Sequence, residues 1–342
     1  MRPLLHLMNT PENIFAQAYE YISLISLGMV ANVFYNLFSS YLRAVGNSRM
    51  PLVFLVLSAC LNVVLDLILI INFKMGVAGA AWATNLSQAI SAVLCAVYIY
   101  KKVPALMPEK RHWRFHKGDT RYQLATGIPM ALQFAITSSG TMVMQSAINL
   151  FGSEAVAAYT AAGKIHGLLT QGMVAMGQTM AVYSGQNYGK GDAGRIRQGV
   201  RAALIIEVIY SVASAVVVSA ALGPSLGLFF SGEVDLAAMM PWARTYTTIC
   251  TLFYVPLCTI FIFRNTMQGC GYGFLPMMGG VVELAARLIV AVIAMDIHSY
   301  WLACACDPAA WVGAGLFTGI SYLYIIKKIE KNLGKGMAVH KS

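Results

Sequence analysis

Residues 41–84 read YLRAVGNSRMPLVFLVLSACLNVVLDLILIINFKMGVAGAAWAT and contain the pattern from which the fold can be predicted. A basic turn from Arg43 to Arg49 leads into an apolar run of about twenty residues, the length that a helix needs to cross a bilayer. Asn62 and Asp66 are four residues apart in this run, so they share one face of the predicted helix. An aspartate at the centre of a membrane helix costs about 2.5–3.5 kcal/mol on insertion scales. We therefore predict a functional role for Asp66, with a polar clamp between Asp66 and Asn62 as the alternative.

The chain of 342 residues has the composition of a helical membrane protein. It is 58% hydrophobic and only 11% charged, with a mean hydropathy of +0.64, whereas soluble domains carry about 25% charged residues. Its long apolar runs favour an all-α, polytopic fold over a β-barrel, whose strands would alternate in hydropathy. We predict nine transmembrane helices, at residues 21–42, 51–72, 77–100, 124–149, 155–184, 199–222, 241–265, 275–296 and 302–326.

The lysine and arginine residues predict the orientation of these spans. Most of the 24 fall in one alternating set of connecting segments, to which we assign Arg264. Because basic loops stay in the cytoplasm, this distribution predicts a cytoplasmic C-terminus and a location in the cell membrane. The basic and aromatic run from Arg111 to Lys117 could bind RNA, but beside a membrane such a run more often contacts anionic headgroups. We therefore expect membrane lipid as a partner, and no nucleic acid.

Two similar turns indicate an internal repeat. Gly46 and Pro51 have counterparts in Gly271 and Pro276, each pair lying between two predicted spans. Spans one to three would then correspond to spans seven to nine, as in transporters built from parallel repeats. The second half holds six predicted spans and the first half only three. We expect the coding sequence upstream of Met1 to supply about three more helices, because parallel repeats are of similar size.

Three side chains with oxygen atoms could form a cation site: Asn62, Asp66 and, near the start of the next span, Thr84. Hard cations such as sodium take oxygen ligands, and a buried carboxylate can also take up a proton. We expect no other cofactor and no metal centre, because the seven cysteines are scattered and lack the spacing of metal sites. The sequence contains no nucleotide-binding loop and no nucleophile with a supporting base, so we do not predict an enzyme.

Other polar residues lie within the remaining spans. Glu283 and Arg287 are four residues apart, which favours a structural ion pair that holds two helices together. Glu207 could take part in a proton relay, or it could extend its carboxylate toward the nearby cytoplasmic end of its helix. The fourth and fifth spans are unusually polar, which favours the lining of a water-filled cavity over packing between helices. The candidate cavity residues are Gln133, Thr137, Gln145, Lys164, Gln171 and Gln178.

Taken together, these features resemble the multidrug and toxic compound extrusion (MATE) family of secondary transporters, over nearly the whole chain. In the first half the resemblance rests on LRAVGNSRMPL (42–52), NVVLDLILI (62–70) and GVAGAAWAT (76–84). In the second half it rests on VAAYTAAGKI (156–165), SGQNYGKGDAGRIRQGV (184–200) and FIFRNTMQGCGYGFLPM (261–277). Each motif alone is weak, but their combination is specific.

The resemblance implies two six-helix lobes that export drugs and organic cations by alternating access, in antiport with sodium or protons. It also implies that Asn62, Asp66 and Thr84 bind the coupling cation, together with an aspartate of the first helix that has no counterpart in this chain. The expected domains are a partial N-lobe of three transmembrane helices (1–100), a cytoplasmic basic linker (101–121), a six-helix C-lobe (122–326) and a cytoplasmic basic tail (327–342). We expect a monomer.

Four alternatives remain open at this point. The chain could be a flippase for lipid-linked oligosaccharides or peptidoglycan precursors, although such cavities are strongly cationic and the intramembrane cations here are Lys164 and Arg287. It could also be a non-functional fragment or an inert membrane scaffold. A membrane enzyme is the least favoured, because the sequence shows no catalytic constellation.

Overall fold

The computed structural model describes residues 12–109, 114–229 and 236–339, and all regular structure in these ranges is helical. Two short 3₁₀ helices, Pro104–Leu106 and Asn149–Phe151, lie between longer ones, and a π-helical segment, Leu67–Asn72, directly continues the second helix. The α-helices are α1 (Glu12–Ala44), α2 (Arg49–Asp66), α3 (Gly76–Lys102), α4 (Lys117–Ile148), α5 (Ser153–Gly189), α6 (Ala193–Phe229), α7 (Leu236–Leu252), α8 (Tyr254–Gly269), α9 (Phe274–Asp296) and α10 (Tyr300–Val339).

Six of the described helices combine the length and hydropathy of a membrane span: α1, α2 with its π-helical continuation, α3, α6, α9 and α10. The bent pair of α7 and α8 passes the same test when it is counted as one span, which gives seven. The helices α4 and α5 carry the candidate cavity residues. They are long enough to cross a membrane, but they are not among the seven candidate spans. The all-α, multi-pass fold is thus confirmed, while the number nine stays a prediction.

The chain divides into two compact units, with the boundary between Phe115 and His116. In the first unit, α3 packs against both α1 and α2. Side-chain hydrogen bonds join the helices: Asn85 Nδ2 donates to the backbone oxygen of Leu24 at 2.7 Å, and Ser91 Oγ donates to that of Phe54 at 3.1 Å. Such bonds help helices associate in a membrane, because the hydrophobic effect does not drive helix association in lipid. Residues 111–113 of the basic and aromatic run lie outside the described residues.

The second unit contains α4 to α10. Here α9 packs against α4 and α10, while α5 packs against α6, α7 and α8. The main apolar core includes the fully buried side chains of Met144, Ile148, Met173, Tyr254 and Ile260. This core fixes the positions of α8, α9 and α10, whose buried polar groups are described below.

The helices α7 and α8 meet at Phe253 and enclose a bend of 50°. Pro256 follows shortly after, and its missing N–H leaves the carbonyl four residues earlier without its helical donor, which explains the break. His166 of α5 contacts both sides of the bend. Its Nε2 atom lies 3.4 Å from Thr247 Oγ1 of α7, and its Nδ1 atom is hydrogen-bonded to Tyr254 Oη of α8. The bend is therefore clamped by a side chain from a neighbouring helix.

The two turns of the proposed repeat have the same backbone geometry. Gly46 and Gly271 adopt φ angles of +83° and +84°, which side chains with a Cβ atom rarely adopt. The amide after each glycine donates to the carbonyl five residues back, at 2.9 Å in the first turn and 3.0 Å in the second. The helices α2 and α9 begin three residues after these glycines, and Pro51 and Pro276 lie in their first turns, where a missing N–H is tolerated.

Candidate functional site

The predicted cation site lies where α2 packs against α3 in the first unit. Asn62 Nδ2 of α2 donates a hydrogen bond to Thr84 Oγ1 of α3 at 3.4 Å. The hydroxyl of Thr84 in turn donates to the backbone oxygen of Ala80 at 3.0 Å, as is common for threonine in a helix. The structure therefore brings together two of the three predicted residues across one helix contact.

Asp66 is one helical turn beyond Asn62 on the same face of α2. Its Oδ1 atom is buried, and no hydrogen-bond donor lies within reach of it. A buried carboxylate oxygen without a partner is destabilising, so binding of a proton or a cation at this atom would stabilise the helix pair. Asn62, Asp66 and Thr84 supply an amide, a carboxylate and a hydroxyl, which are the oxygen ligands that hard cations prefer.

The backbone changes at the same residue. The α-helical part of α2 ends at Asp66, and the next six residues, Leu67–Asn72, form a π-helix. π-Helical turns are rare and are frequently found at functional sites. The apolar run continues through this change, so the sequence contains no signal that could have predicted it.

A fourth polar residue of this contact was missed by sequence reasoning. Gln88 lies one turn after Thr84 on α3, and its Oε1 atom is also buried without a hydrogen-bond partner. Its spacing of four residues from Thr84 is the signal that could have found it. The face of α3 toward α2 is thus polar over more than one turn, because Ser87 and Ser91 are also buried there.

The second unit contains a buried network of four charged residues. Arg264 Nη1 lies 3.1 Å from Glu283 Oε1, Arg287 Nη1 lies 3.6 Å from Glu283 Oε2, and Arg287 Nε lies 2.7 Å from Asp307 Oδ1. All four residues are at most 9% exposed. Two arginines and two carboxylates neutralise each other and join α8, α9 and α10.

This network is larger than the ion pair of Glu283 and Arg287 that the sequence predicted. The assignment of Arg264 to a cytoplasmic loop was wrong, because this residue lies inside α8 and its side chain is buried against Glu283. Asp307 was missed altogether, although an aspartate inside the last apolar run could have drawn attention. Neither partner can be assigned from spacing, since both contacts are made between different helices.

Two of the six candidate cavity residues lie inside the bundle of the second unit. Gln133 is only 2% exposed, and its Oε1 atom accepts a hydrogen bond from Gln268 Nε2 of α8 at 2.8 Å. Thr137 has a buried hydroxyl without a hydrogen-bond partner. Further along α4, Arg287 packs so close to Gly140 that a Cβ atom there would be 2.8 Å from Nη1. This part of α4 therefore contacts the ion-pair network.

The other candidate cavity residues lie elsewhere on α4 and α5. Gln145 Nε2 donates to Asn149 Oδ1 at 2.8 Å at the end of α4. Lys164, Gln171 and Gln178 follow one another at intervals of seven residues on α5, so they share one face, and all three are exposed on the surface of the unit. A polar face of this kind requires water or protein rather than lipid beside it.

A family model described as MatE matches residues 1–68 and 129–293, which is more than half of the chain. The chain belongs to the MatE family. Proteins of the MatE family are membrane transporters and not enzymes, so the chain is a multi-pass membrane protein of a transporter family.

Similar proteins come from several bacteria. The chain is 33% identical over 195 residues to the probable multidrug resistance protein YpnP of Bacillus subtilis (strain 168), a match that covers 56% of this chain and 43% of that protein. It is 25% identical over 317 residues to the probable multidrug resistance protein NorM of Thermotoga maritima, covering 89% of this chain and 65% of that protein. The chain therefore spans less than two thirds of the length of these relatives.

A solved crystal structure of a MATE protein in the bent conformation has the same fold. It matches with a TM-score of 0.88 at 20% sequence identity, covering 97% of this chain and 74% of that one. At this level of identity the likeness concerns the fold alone. It agrees with the expectation of a MATE-like helical architecture.

Proposed function

We propose that this chain acts in a secondary active transporter that exports drugs and organic cations in antiport with sodium or protons. The observation that carries the proposal is the buried and unpartnered Oδ1 atom of Asp66 within a membrane-spanning helix. An ionised aspartate at such a depth costs about 2.5–3.5 kcal/mol, and a bound cation or proton would offset this cost. The protein thus has a physical reason to bind the coupling ion at Asp66.

The relatives support the export of drugs. YpnP and NorM are named as probable multidrug resistance proteins, and a protein of Staphylococcus haemolyticus that is 22% identical over 256 residues is named multidrug export protein MepA. The exposed polar face of α5, with Lys164, Gln171 and Gln178, suits a water-filled substrate path. The basic residues near the end of α10 support a cytoplasmic C-terminus.

The proposed coupling acts through the contact of α2 with α3. A cation at Asp66 would also contact the side-chain oxygens of Asn62 and Thr84, the two residues whose hydrogen bond already joins the helices. Loading and release of the ion would therefore change how α2 packs against α3, and this change would bias the rocking of the two pseudo-symmetric lobes.

Ethidium accumulation in cells that produce the full-length protein, including any helices encoded upstream, tests the proposal. Asp66→Asn keeps the size of the side chain and removes its charge. The wild-type protein should lower the amount of ethidium that accumulates in the cells, and we expect Asp66→Asn to abolish this effect. Asp296→Asn is the matched control, because Asp296 lies exposed at the end of α9. Retained efflux by Asp66→Asn at equal protein levels, or no efflux by the wild type, contradicts the proposal. Recording efflux with and without sodium at fixed pH distinguishes the two coupling ions.

A flippase for pyrophosphate-linked lipids is disfavoured by the buried charges. Arg264 and Arg287 are both paired with carboxylates, so they offer no free positive charge to a pyrophosphate. Lys164 is the exposed basic residue on the polar face of α5. Transport of a polyprenyl-pyrophosphate analogue that is lost in Lys164→Ala would favour the flippase over the drug exporter.

A further inference from the structure

A second carboxyl group of the membrane helices is buried without a partner, far from Asp66 in sequence. Glu207 lies about four turns into α6, near the middle of this long helix. It is only 3% exposed, and its Oε2 atom has no hydrogen-bond partner. The side chain therefore does not extend to the cytoplasmic end of α6, which was one of the two sequence-based expectations for this residue.

Ser211 is a second buried polar residue beside Glu207. It lies one turn after Glu207 on the same face of α6, is completely buried, and its Oγ atom also lacks a hydrogen-bond partner. Cys258 of α8 lies next to both residues, but its thiol already donates to the backbone oxygen of Val255 at 3.1 Å. The contact of α6 with α8 thus contains a buried carboxylate oxygen without a partner, and one turn away a buried serine hydroxyl beside the Cys258 thiol.

The surroundings of Glu207 offer no positive charge within the described residues. The arginines of α6 lie near its start, where Arg197 is paired with Glu330 of α10 at 2.8 Å. Among the titratable side chains that neighbouring helices direct toward α6, Arg244 of α7 lies beside residues 219–224, near the end of α6 and away from Glu207. The others are hydroxyl or thiol groups: Tyr183 of α5, Tyr254 and Cys258 of α8, and Tyr322 of α10. None of them donates a hydrogen bond to Glu207 Oε2.

We propose that Glu207 and Ser211 form a second ion-binding site of the chain, in its larger unit, and that the ion bound there is a proton. An ionised glutamate among membrane helices without a counterion costs several kcal/mol, whereas the neutral acid removes this cost. Two side chains supply too few oxygen ligands for a metal cation, which takes about six. The proton binds Oε2 as a neutral carboxyl group and leaves to water as the carboxylate forms again, with no other group consumed.

Infrared spectroscopy of the purified chain in lipid nanodiscs tests this site, because a protonated carboxyl group has a carbonyl band that a carboxylate lacks. The measurement is made near neutral pH in Asp66→Asn, so that Asp66 does not contribute. We expect the band in Asp66→Asn and its loss in Asp66→Asn with Glu207→Gln. Glu154→Gln in the Asp66→Asn chain is the control, because Glu154 is exposed in the first turn of α5, and it keeps the band. Absence of the band in Asp66→Asn, or its persistence after Glu207→Gln, overturns the proposal.

A second measurement needs no variant that might fold poorly. Dicyclohexylcarbodiimide, an apolar reagent, reacts with protonated carboxyl groups in membranes, and mass spectrometry locates the adduct. We expect an adduct on Glu207 in the wild-type protein and none on Glu283, whose carboxylate oxygens are paired with Arg264 and Arg287. An unmodified Glu207 contradicts the proposal. Neither the infrared nor the labelling measurement depends on drug export. Failure of the Glu207 site can therefore be distinguished from failure of the proposed export function, which the ethidium experiment tests.

Discussion

The α2–α3 pair and the α9–α10 pair each follow a glycine turn of the same backbone geometry, but their buried charged residues differ in whether they are paired. In α9 and α10, Glu283, Arg287 and Asp307 are bonded to one another and to Arg264. In α2, the Oδ1 atom of Asp66 has no partner. The charges of the first arrangement balance within it, whereas the second leaves a buried carboxylate oxygen without a partner.

The correspondence between Gly46 and Gly271 extends along the helices. The same offset pairs Asn62 with Arg287 and Asp66 with Ala291, which is fully buried. The helix α9 remains α-helical to Asp296, whereas α2 becomes π-helical directly after Asp66. The two copies thus share a start but differ at the position where only the first keeps an acid. This difference is consistent with the proposal that the first copy binds the coupling ion, while the paired charges of the second copy join its helices.

Breaking the closed network should have the largest effect on stability. We expect Arg287→Ala to lower the free energy of unfolding by about 3–5 kcal/mol, because it leaves buried carboxylates uncompensated. Asn62→Ala, at the corresponding position of the first copy, removes one neutral hydrogen bond and should cost only about 0.5–1.5 kcal/mol. Unfolding in a titration with dodecyl sulfate measures both values.

A double variant sharpens this test. Replacing both partners, with Arg287→Met and Asp307→Leu, leaves Glu283 paired with Arg264 and should recover most of the lost stability. Equal losses in Arg287→Ala and Asn62→Ala would show that the network is not the structural counterpart of the open site.

The two glycine turns should differ in their tolerance of a side chain. Gly46→Ala places a Cβ atom in open space, so only the left-handed backbone opposes it, at about 1–2 kcal/mol. Gly271→Ala should cost more, because its Cβ atom would lie 2.0 Å from Tyr122 Oη. Thermal unfolding in detergent measures both, and Tyr122→Phe should bring the second loss closer to the first. A Gly271→Ala loss no larger than that of Gly46→Ala speaks against this contact.

The smallest effect concerns the affinity for the coupling ion. Thr84→Val removes one oxygen and leaves Asn62 without its acceptor, so we expect the ion concentration for half-maximal efflux to rise about five- to tenfold, which corresponds to about 1 kcal/mol. Thr84→Ser should restore it. Thr318→Val is the matched control in α10, because Thr318 bonds only within its own helix. An unchanged ion dependence in Thr84→Val removes Thr84 from the site.

Sequence reasoning could identify the features that depend on local pattern. The apolar runs predicted the helical fold, the two glycine motifs predicted turns that have the same backbone geometry, and the polar residues of neighbouring spans predicted the contact of Asn62 with Thr84. Arg264, Asp307 and Gln88 were missed because their roles come from contacts between helices. From the sequence alone, an arginine near the end of an apolar run, such as Arg264, is assigned to a loop. Its contact with the buried Glu283 becomes evident only in the structure.

The central claim is that the Asp66 carboxyl group binds the coupling ion. Infrared difference spectra of the purified chain, recorded on adding sodium and on changing pH, test it most directly. We expect the wild type and Asp66→Asn to differ by a carboxyl signal that responds to sodium or to pH, and the wild type and Asp296→Asn to show no such difference. Identical responses of the wild type and Asp66→Asn to both changes would contradict it.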